Sequence, residues 1–288
     1  MVTVIINPVS GGATPEQARV RADLAAGLIA AAGEAAEVFV TQGRGHAREL
    51  AAAAVHRGAR LVYAWGGDGT INEVASSLLH CPAALAVVPS GSGNGLAREL
   101  RVSRRPEQAI AEALAAPPKA IDVGEFGGRL FVSVAGVGFD AHVAACFDRD
   151  TGARGFTTYV RITARELLTY RACTYRVGVE ARHALTVTIA NAPQFGNGAR
   201  IAPQAIMDDG LLDLVVVEAR SMIETIWGVP RLFTGGINKL RGVSSERIES
   251  ATIESDEPMC FHVDGEPVQG GTRLEARVLP RALNVATR

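Results

Sequence analysis

The spacing of apolar positions changes along this chain. Early on, short apolar runs alternate with longer stretches in which apolar residues recur every three or four positions. VTVII (2–6), AEVFV (36–40), RLVYAW (60–65) and ALAVVP (84–89) are the runs, and they predict strands. Between the first two, TPEQARVRADLAAGLIAAAG carries a helix-start signature. Thr14 stands as N-cap, Pro15 takes the first helical position, Gln17 completes a capping box, and Gly33 closes the segment. HARELAAAAVHRG (46–58) predicts a second helix, and a third runs from the GGDG turn to about Leu79. Strands alternating with helices imply βαβ units around a buried parallel sheet.

From AAPPKAIDVG (115–124) onward, strand-like runs dominate: RLFVSVAG, TYRVGVE, ALTVTIAN, LLDLVVVE, RIESATIE, MCFHVDG, RLEARVLP and ALNVAT. Helical stretches at roughly 153–171 and 221–235 interrupt them. The expected fold is α/β: an N-terminal parallel-sheet domain over 1–122, then a mainly antiparallel β-sandwich over 123–288. Whether the C-terminal end returns to the first domain is left open.

Composition excludes several classes. Of 288 residues, 48% are apolar and 20% charged, enough for a sizeable core. A formal net charge of -1 argues against a nucleic-acid partner held by bulk charge. Cys81, Cys146, Cys173 and Cys260 have no short paired spacing, which fits neither a zinc site nor a disulfide framework and suggests a reducing compartment. His46, His56, His80, His142, His183 and His262 show no metal-ligand spacing either, and no catalytic role is expected for them. No apolar run reaches membrane-spanning length, and the N-terminus has no basic leader, so a soluble, cytoplasmic protein is expected.

The chemistry concentrates in glycine-rich turns. NPVSGG (7–12), GGDGTINE (66–73) and PSGSGNG (89–95) follow the first, third and fourth strands, at the sheet edge where ligands of such folds bind. Ser10, Gly11 and Gly12 could offer backbone N–H groups to phosphate. Each turn alone reads as an ordinary βα connection; three at one edge point to a phosphate-rich ligand. Asp68 among the glycines suggests a cation, with Mg²⁺ the natural companion of phosphate. Lys119 and Lys239 are the only lysines and neither is near these loops, so a lysine-based phosphate loop is absent.

Taken in order, NPVSGG, GGDGTINEVASSL and PSGSGNGLAREL, then GVGFDA (136–141), NAPQFGNGARIAPQAIMDDGLLDL (191–214) and HVDGEPV (262–268), resemble the diacylglycerol kinase and sphingosine kinase family of lipid kinases. The resemblance covers nearly the whole chain. It implies an NAD kinase/diacylglycerol kinase-like fold, ATP in an interdomain cleft, and phosphorylation of a lipid hydroxyl, most simply that of diacylglycerol. Nucleotide contacts carry over to Asn7, Pro8, Val9, Ser10, Gly11, Thr41, Gly67, Asp68, Gly69, Thr70, Ile71, Asn72, Glu73 and Ser92. Asp209, with the carbonyls of Ile206 and Leu211, matches a structural Mg²⁺ site, and Asp208 joins Asp68 in a metal network. Asp264 matches the general base, with Glu266 beside it near the nucleotide.

The sequence departs from that pattern in places. Serine stands at Ser92 where many relatives have threonine, and Gly95 where many have aspartate. The lysine that follows NPxSG in several bacterial relatives is missing, which leaves Arg19 or Arg21 to neutralise phosphate, unless both lie on a solvated helix face. Phe156, Val160, Thr163, Leu167 and Tyr170, and MIETIWGVPRLF (222–233) with Trp227, are at helical spacing and read either as lipid-facing or as packed helices. Asp140 reads either as a partner for a sphingoid amine or as a helix cap. The expected partners are ATP and a lipid, with peripheral membrane contact and room for a homodimer. A sphingoid-base kinase, an NAD kinase and a non-catalytic lipid- or nucleotide-binding relative are the alternatives.

Overall fold

The structure, a computed structural model, describes residues 1–150 and 155–287. The chain forms two compact units: Met1–Ile121 with the segment from Arg281 onward, and Asp122–Pro280. The first unit runs β1 (Val2–Ile6), α1 (Pro15–Ala31), β2 (Ala36–Val40), α2 (His46–His56), β3 (Leu61–Gly66), α3 (Asp68–Leu78), β4 (Ala84–Pro89), α4 (Gly95–Glu99) and α5 (Pro106–Ala115). β1 lies parallel between β2 and β3, and β4 is parallel on the far side of β3. Alternate residues sort to two faces. Val2, Val4 and Ile6, with Leu61, Tyr63 and Trp65, pack beneath α1 and α5 through Ala25, Ile29, Ala109 and Ile110. The Tyr63 hydroxyl donates to the Ile110 carbonyl at 2.8 Å, which anchors α5 to the sheet and satisfies a buried phenol. α1 opens with the expected Thr14–Gln17 capping box.

β5 (Pro118–Phe126) leads into the second unit, which contains β6 (Arg129–Phe131), β7 (Val134–Gly138), α6 (Phe139–Arg149), α7 (Phe156–Leu167), β8 (Cys173–Val177), β9 (Glu180–Ala190), β10 (Leu212–Glu218), α8 (Met222–Thr234), β11 (Val243–Ile248), β12 (Ser250–Glu254), β13 (Cys260–Val263) and β14 (Glu266–Gln269). β15 (Arg273–Ala286) begins there and ends in the first unit beside β4, with Asn284 and Val285 in parallel register with Ala84 and Leu85. The second unit's pairings are antiparallel: β14–β13–β7–β9–β8–β12–β15 in order, with β10 between β9 and β11. Phe126, Phe131, Val187, Ile189, Leu212, Leu214 and Phe261 fill one core layer, while Val134, Ala190, Val215 and Ile237 face a second.

Several expected boundaries moved. RLFVSVAG is two strands, because Val132 and Ser133 leave the ladder to donate to Asp264. RLEARVLP and ALNVAT are one strand. α5 was not expected, and α6 was expected only through the reading of Asp140 as a helix cap. The helix expected over 153–171 is observed as Phe156–Leu167, and positions 153–154 lie outside the described residues.

Candidate active site

The carboxyl ends of β1, β3 and β4 carry the three glycine-rich turns, and side chains tie these turns together. Asn7 Nδ2 donates to Thr70 Oγ1 at 2.9 Å, while Asn7 Oδ1 accepts from the Val9 N–H. Ser10 Oγ donates to the Asn7 carbonyl and lies 2.6 Å from Ser90 Oγ, so Ser90 is the donor of that pair. Close backbone approach explains the glycines. A Cβ on Gly91 would meet Gly67 Cα at 2.6 Å, and one on Gly11, at φ +70°, would meet the Ser90 carbonyl at 2.4 Å.

Asp68 has a clear structural task. Its Oδ2 accepts from the Asn94 N–H at 2.8 Å and its Oδ1 from the Gly95 N–H at 2.7 Å, which holds the start of α4 against the start of α3. A carboxylate at a helix N-terminus is electrostatically favoured there. Asn94, in the left-handed region, fixes the same loop by bonding both the N–H and the carbonyl of Gly91. Glu73 acts likewise on the neighbouring loop: its two oxygens accept from the N–H groups of Gly45 and Ala47 at the start of α2. Thr41 is buried, its N–H on the Ile6 carbonyl, and Ser92 is exposed at the loop tip.

Two expectations about this edge need correction. The N–H groups of Ser10 and Gly12 are turned onto the carbonyls of Asn7 and Val9, so they close the turn instead of standing open. The N–H groups that make no bond within a helix lie in the first turn of α3, over Asp68, Gly69 and Thr70. Of the two arginines, Arg21 lies at this edge. Its guanidinium donates to Ser10 Oγ and to the Ser10 carbonyl at 3.2 Å each and lies over the Trp65 ring, whereas Arg19 is exposed. Partial burial pushes the Arg21 pKa down from its ordinary value.

In the second unit, Asp264 and Gly265 form the turn between β13 and β14 with φ of 48° and 83°, the geometry of a type I′ hairpin. The Asp264 carboxylate reaches across the sheet: Oδ2 accepts from the Val132 N–H, and Oδ1 from the N–H groups of Ser133 and Val134, at 2.8–3.1 Å. Glu266 is exposed at the start of β14. Asp208 and Asp209 lie in the turn before β10, with Ile206 exposed beside them. Asp209 Oδ1 accepts from the Leu211 N–H and Oδ2 pairs with Arg247. An ion at Asp209 Oδ2 would share that oxygen with the Arg247 guanidinium or displace it. Asp122, fully buried, accepts from the Gly210 N–H and holds the turn from below.

Asp140 is not the cap of α6, which is Gly138; it sits in the first turn. Its Oδ1 accepts from the Ala141 N–H and its Oδ2 from the Thr188 hydroxyl. Buried His262 brings Nε2 to 3.2 Å from Oδ2 without the alignment of a hydrogen bond, while its Nδ1 accepts from the Gly265 N–H. This His262–Asp140 pair went unread in the sequence, since nothing local joins positions so far apart.

Comparison with known proteins shows the family. Residues 1–126 match the family description "Diacylglycerol kinase catalytic domain", and residues 133–287 match "YegS C-terminal NAD kinase beta sandwich-like domain". A Pseudomonas fluorescens protein named "Probable lipid kinase YegS-like" is 32% identical over 88% of this chain and 86% of its own. One of the same name from Pseudomonas aeruginosa is 33% identical over 88% and 85%. A crystal structure of a diacylglycerol kinase from Bacillus anthracis superposes with a TM-score of 0.76, at 20% identity, covering 100% of this chain and 96% of that one. The chain belongs to the diacylglycerol kinase-type lipid kinase family. It is a kinase, and that family implies ATP as phosphate donor.

Proposed function

We propose that the protein is an ATP- and Mg²⁺-dependent lipid kinase acting at a membrane surface, with the primary hydroxyl of diacylglycerol as acceptor. The observation that supports the donor half best is the cradle of three tied turns at one sheet edge, with the opening of α3 and the Arg21 cation beside it. Glycines that exclude side chains let polyphosphate approach backbone, and a helix N-terminus favours its charge. Asn7 to Gly11, Gly67 to Asn72 and Ser92 would surround the nucleotide, while Glu73 and Thr41 hold the β2–α2 loop in place. Asp68 is a carboxylate fixed by the Asn94 and Gly95 amides at the edge where the turns meet, and it fits as a carboxylate near Mg²⁺. The ion would supply charge neutralisation on the phosphates. No role is drawn for an ion at Asp209.

In the transfer, the acceptor hydroxyl oxygen bonds to the γ-phosphorus as the bond to the ADP oxygen breaks. The hydroxyl proton leaves to a carboxylate. Asp264 suits that role as a carboxylate held in place by the amides of Val132, Ser133 and Val134.

Membrane contact is assigned to α8. Ile223, Ile226, Trp227, Pro230 and Phe233 form a stripe along it, with Trp227 77% and Ile223 70% exposed. Gly228, on the opposite side, is buried against Leu240. Exposed Arg231, Lys239 and Arg241 accompany the stripe, the pattern of a helix lying in the headgroup region.

A sphingoid base is the second reading, resting on Asp140. Thr188, His262 and the Ala141 N–H already surround that carboxylate, which favours diacylglycerol. Turnover of diacylglycerol and sphingosine by the native protein and by Asp140→Asn separates the two. Native preference for diacylglycerol, with both activities changing in parallel in the variant, supports the proposal. Native preference for sphingosine, lost selectively in Asp140→Asn, overturns it.

A further inference from the structure

Away from the turns described above, α6 and α7 of the second unit bring together three side chains of different chemistry. His142 and Cys146 are four residues apart on α6 and so share one face. Glu166 approaches from α7. His142 Nε2 lies 2.7 Å from Glu166 Oε2 and 3.7 Å from Cys146 Sγ, and the three ligand atoms all fall within 4.8 Å of one another. An ordinary His–Glu pair needs no thiol at the third corner. Here one ring nitrogen faces both the carboxylate oxygen and the sulfur.

We propose that His142, Cys146 and Glu166 form a binding site for a borderline-soft divalent cation of the zinc class, joining α6 to α7. The donor set, one imidazole nitrogen, one thiolate sulfur and one carboxylate oxygen, suits zinc rather than magnesium. Metal–ligand bonds of about 2.0–2.3 Å in tetrahedral array put ligand atoms roughly 3.3–3.7 Å apart. The sulfur–nitrogen separation already has that value, and the nitrogen–oxygen edge opens by about half an ångström through side-chain rotation. The surroundings orient the ligands. Arg165 holds Glu166 Oε1 and leaves Oε2 directed at His142, the Tyr170 ring packs 5.2 Å from the imidazole, and Arg149 donates to Cys146 Sγ. A cavity of about 270 Å³ adjoins His142, lined also by Arg149 and Tyr170, and it gives water access to a fourth position.

Sequence spacing hid this site: His142 and Cys146 are a lone i,i+4 pair, and the third ligand lies twenty residues on, on another helix. It is independent of the Mg²⁺ and ATP chemistry proposed above.

The test uses the full-length protein, stripped with a chelator and titrated with Co²⁺ as spectroscopic probe. A near-ultraviolet thiolate-to-cobalt band should grow to saturation in the native protein and in the control Cys81→Ser, and disappear in Cys146→Ser. Loss of outer-shell partners alone costs metal sites about 10–100-fold in affinity, so His142→Ala and Glu166→Gln should each weaken Co²⁺ by roughly tenfold or more. Circular dichroism shows that each variant is folded, and Glu166→Gln, which leaves the α6 ligands in place, serves if Cys146→Ser is not. Absence of a thiolate band in the native protein overturns the proposal. So does a band that survives in Cys146→Ser, or Co²⁺ affinity unchanged in Glu166→Gln.

Discussion

A methyl group at Gly91 has nowhere to go, because its neighbour is the Gly67 backbone. Overpacking of this kind costs about 1–3 kcal/mol, and here the loops must part to relieve it. Gly91→Ala should therefore weaken ATP binding roughly tenfold or more, with the far-ultraviolet circular dichroism unchanged; calorimetric titration reads the affinity. Asp264 sets a different problem, because one carboxylate is both bracket and proposed base. Asp264→Ala leaves three backbone N–H groups without their acceptor, and unmet groups cost about 1–3 kcal/mol. Asp264→Asn keeps an oxygen for Ser133 and Val134 and isolates the chemistry. With only the Val132 N–H left unmet, it should melt above Asp264→Ala though below the native protein, bind ATP normally, and lose about 10²–10⁴-fold in kcat. Turnover of Asp264→Asn within a few-fold of native would leave Asp264 as a bracket alone. The motifs around both residues were legible in the sequence. Their bonding was not: the donors to Asp68 come from Asn94 and Gly95, and those to Asp264 from Val132 to Val134, far off along the chain.

Among the elements, β10 carries a titrating group inside the sheet. Burial pushes the Asp213 carboxyl up, and a hydrogen bond with Ser245 pulls the other way. The folded protein thus holds the Asp213 proton more tightly than the unfolded chain. Ionisation opposes folding as pH rises from the unfolded carboxylate range through the folded value. Asp213→Asn should therefore raise the melting temperature at pH 7 and leave it nearly unchanged at about pH 2.5, below the ordinary aspartate value of 3.8 and the raised folded one. Equal effects at both pH values would contradict that origin. Elements with local signals were readable: the α1 capping box and the β1 to β4 runs appear where the sequence puts them. α6 begins earlier than an Asp140 cap would put it, because β7 passes straight into it through Gly138 at φ 105°, with no polar residue at the cap. α5 does have a signal, Pro106 at its first position and Ala109, Ile110 and Ala113 along one face, which the strand-rich reading passed over. On α8 the pattern was visible but its exposure was not. Trp227→Ser with Ile223→Ser should cut binding to vesicles containing anionic lipid by roughly tenfold or more, since each large apolar side chain kept out of water contributes about 1.5–3 kcal/mol. Flotation with unchanged recovery would remove α8 from the membrane contact.

At the scale of the whole molecule, the second unit is interposed in the first: β15 leaves the β-rich unit and ends beside β4 of the parallel sheet, where His80 and Cys81 bond to Ala282 and Asn284. That return was left open by the sequence because Pro280 breaks the apolar pattern, yet the chain continues as one strand with Arg281 at φ 49°. The account as a whole makes one claim above the others, that this chain moves phosphate from ATP to a lipid hydroxyl. The direct measurement incubates the purified protein with Mg²⁺ and γ-labelled ATP, presenting diacylglycerol and sphingosine in mixed micelles and NAD in solution. The account predicts label in the organic-extractable fraction, greatest with diacylglycerol and abolished in Asp68→Asn. Label transferred to NAD with none in any lipid would contradict it.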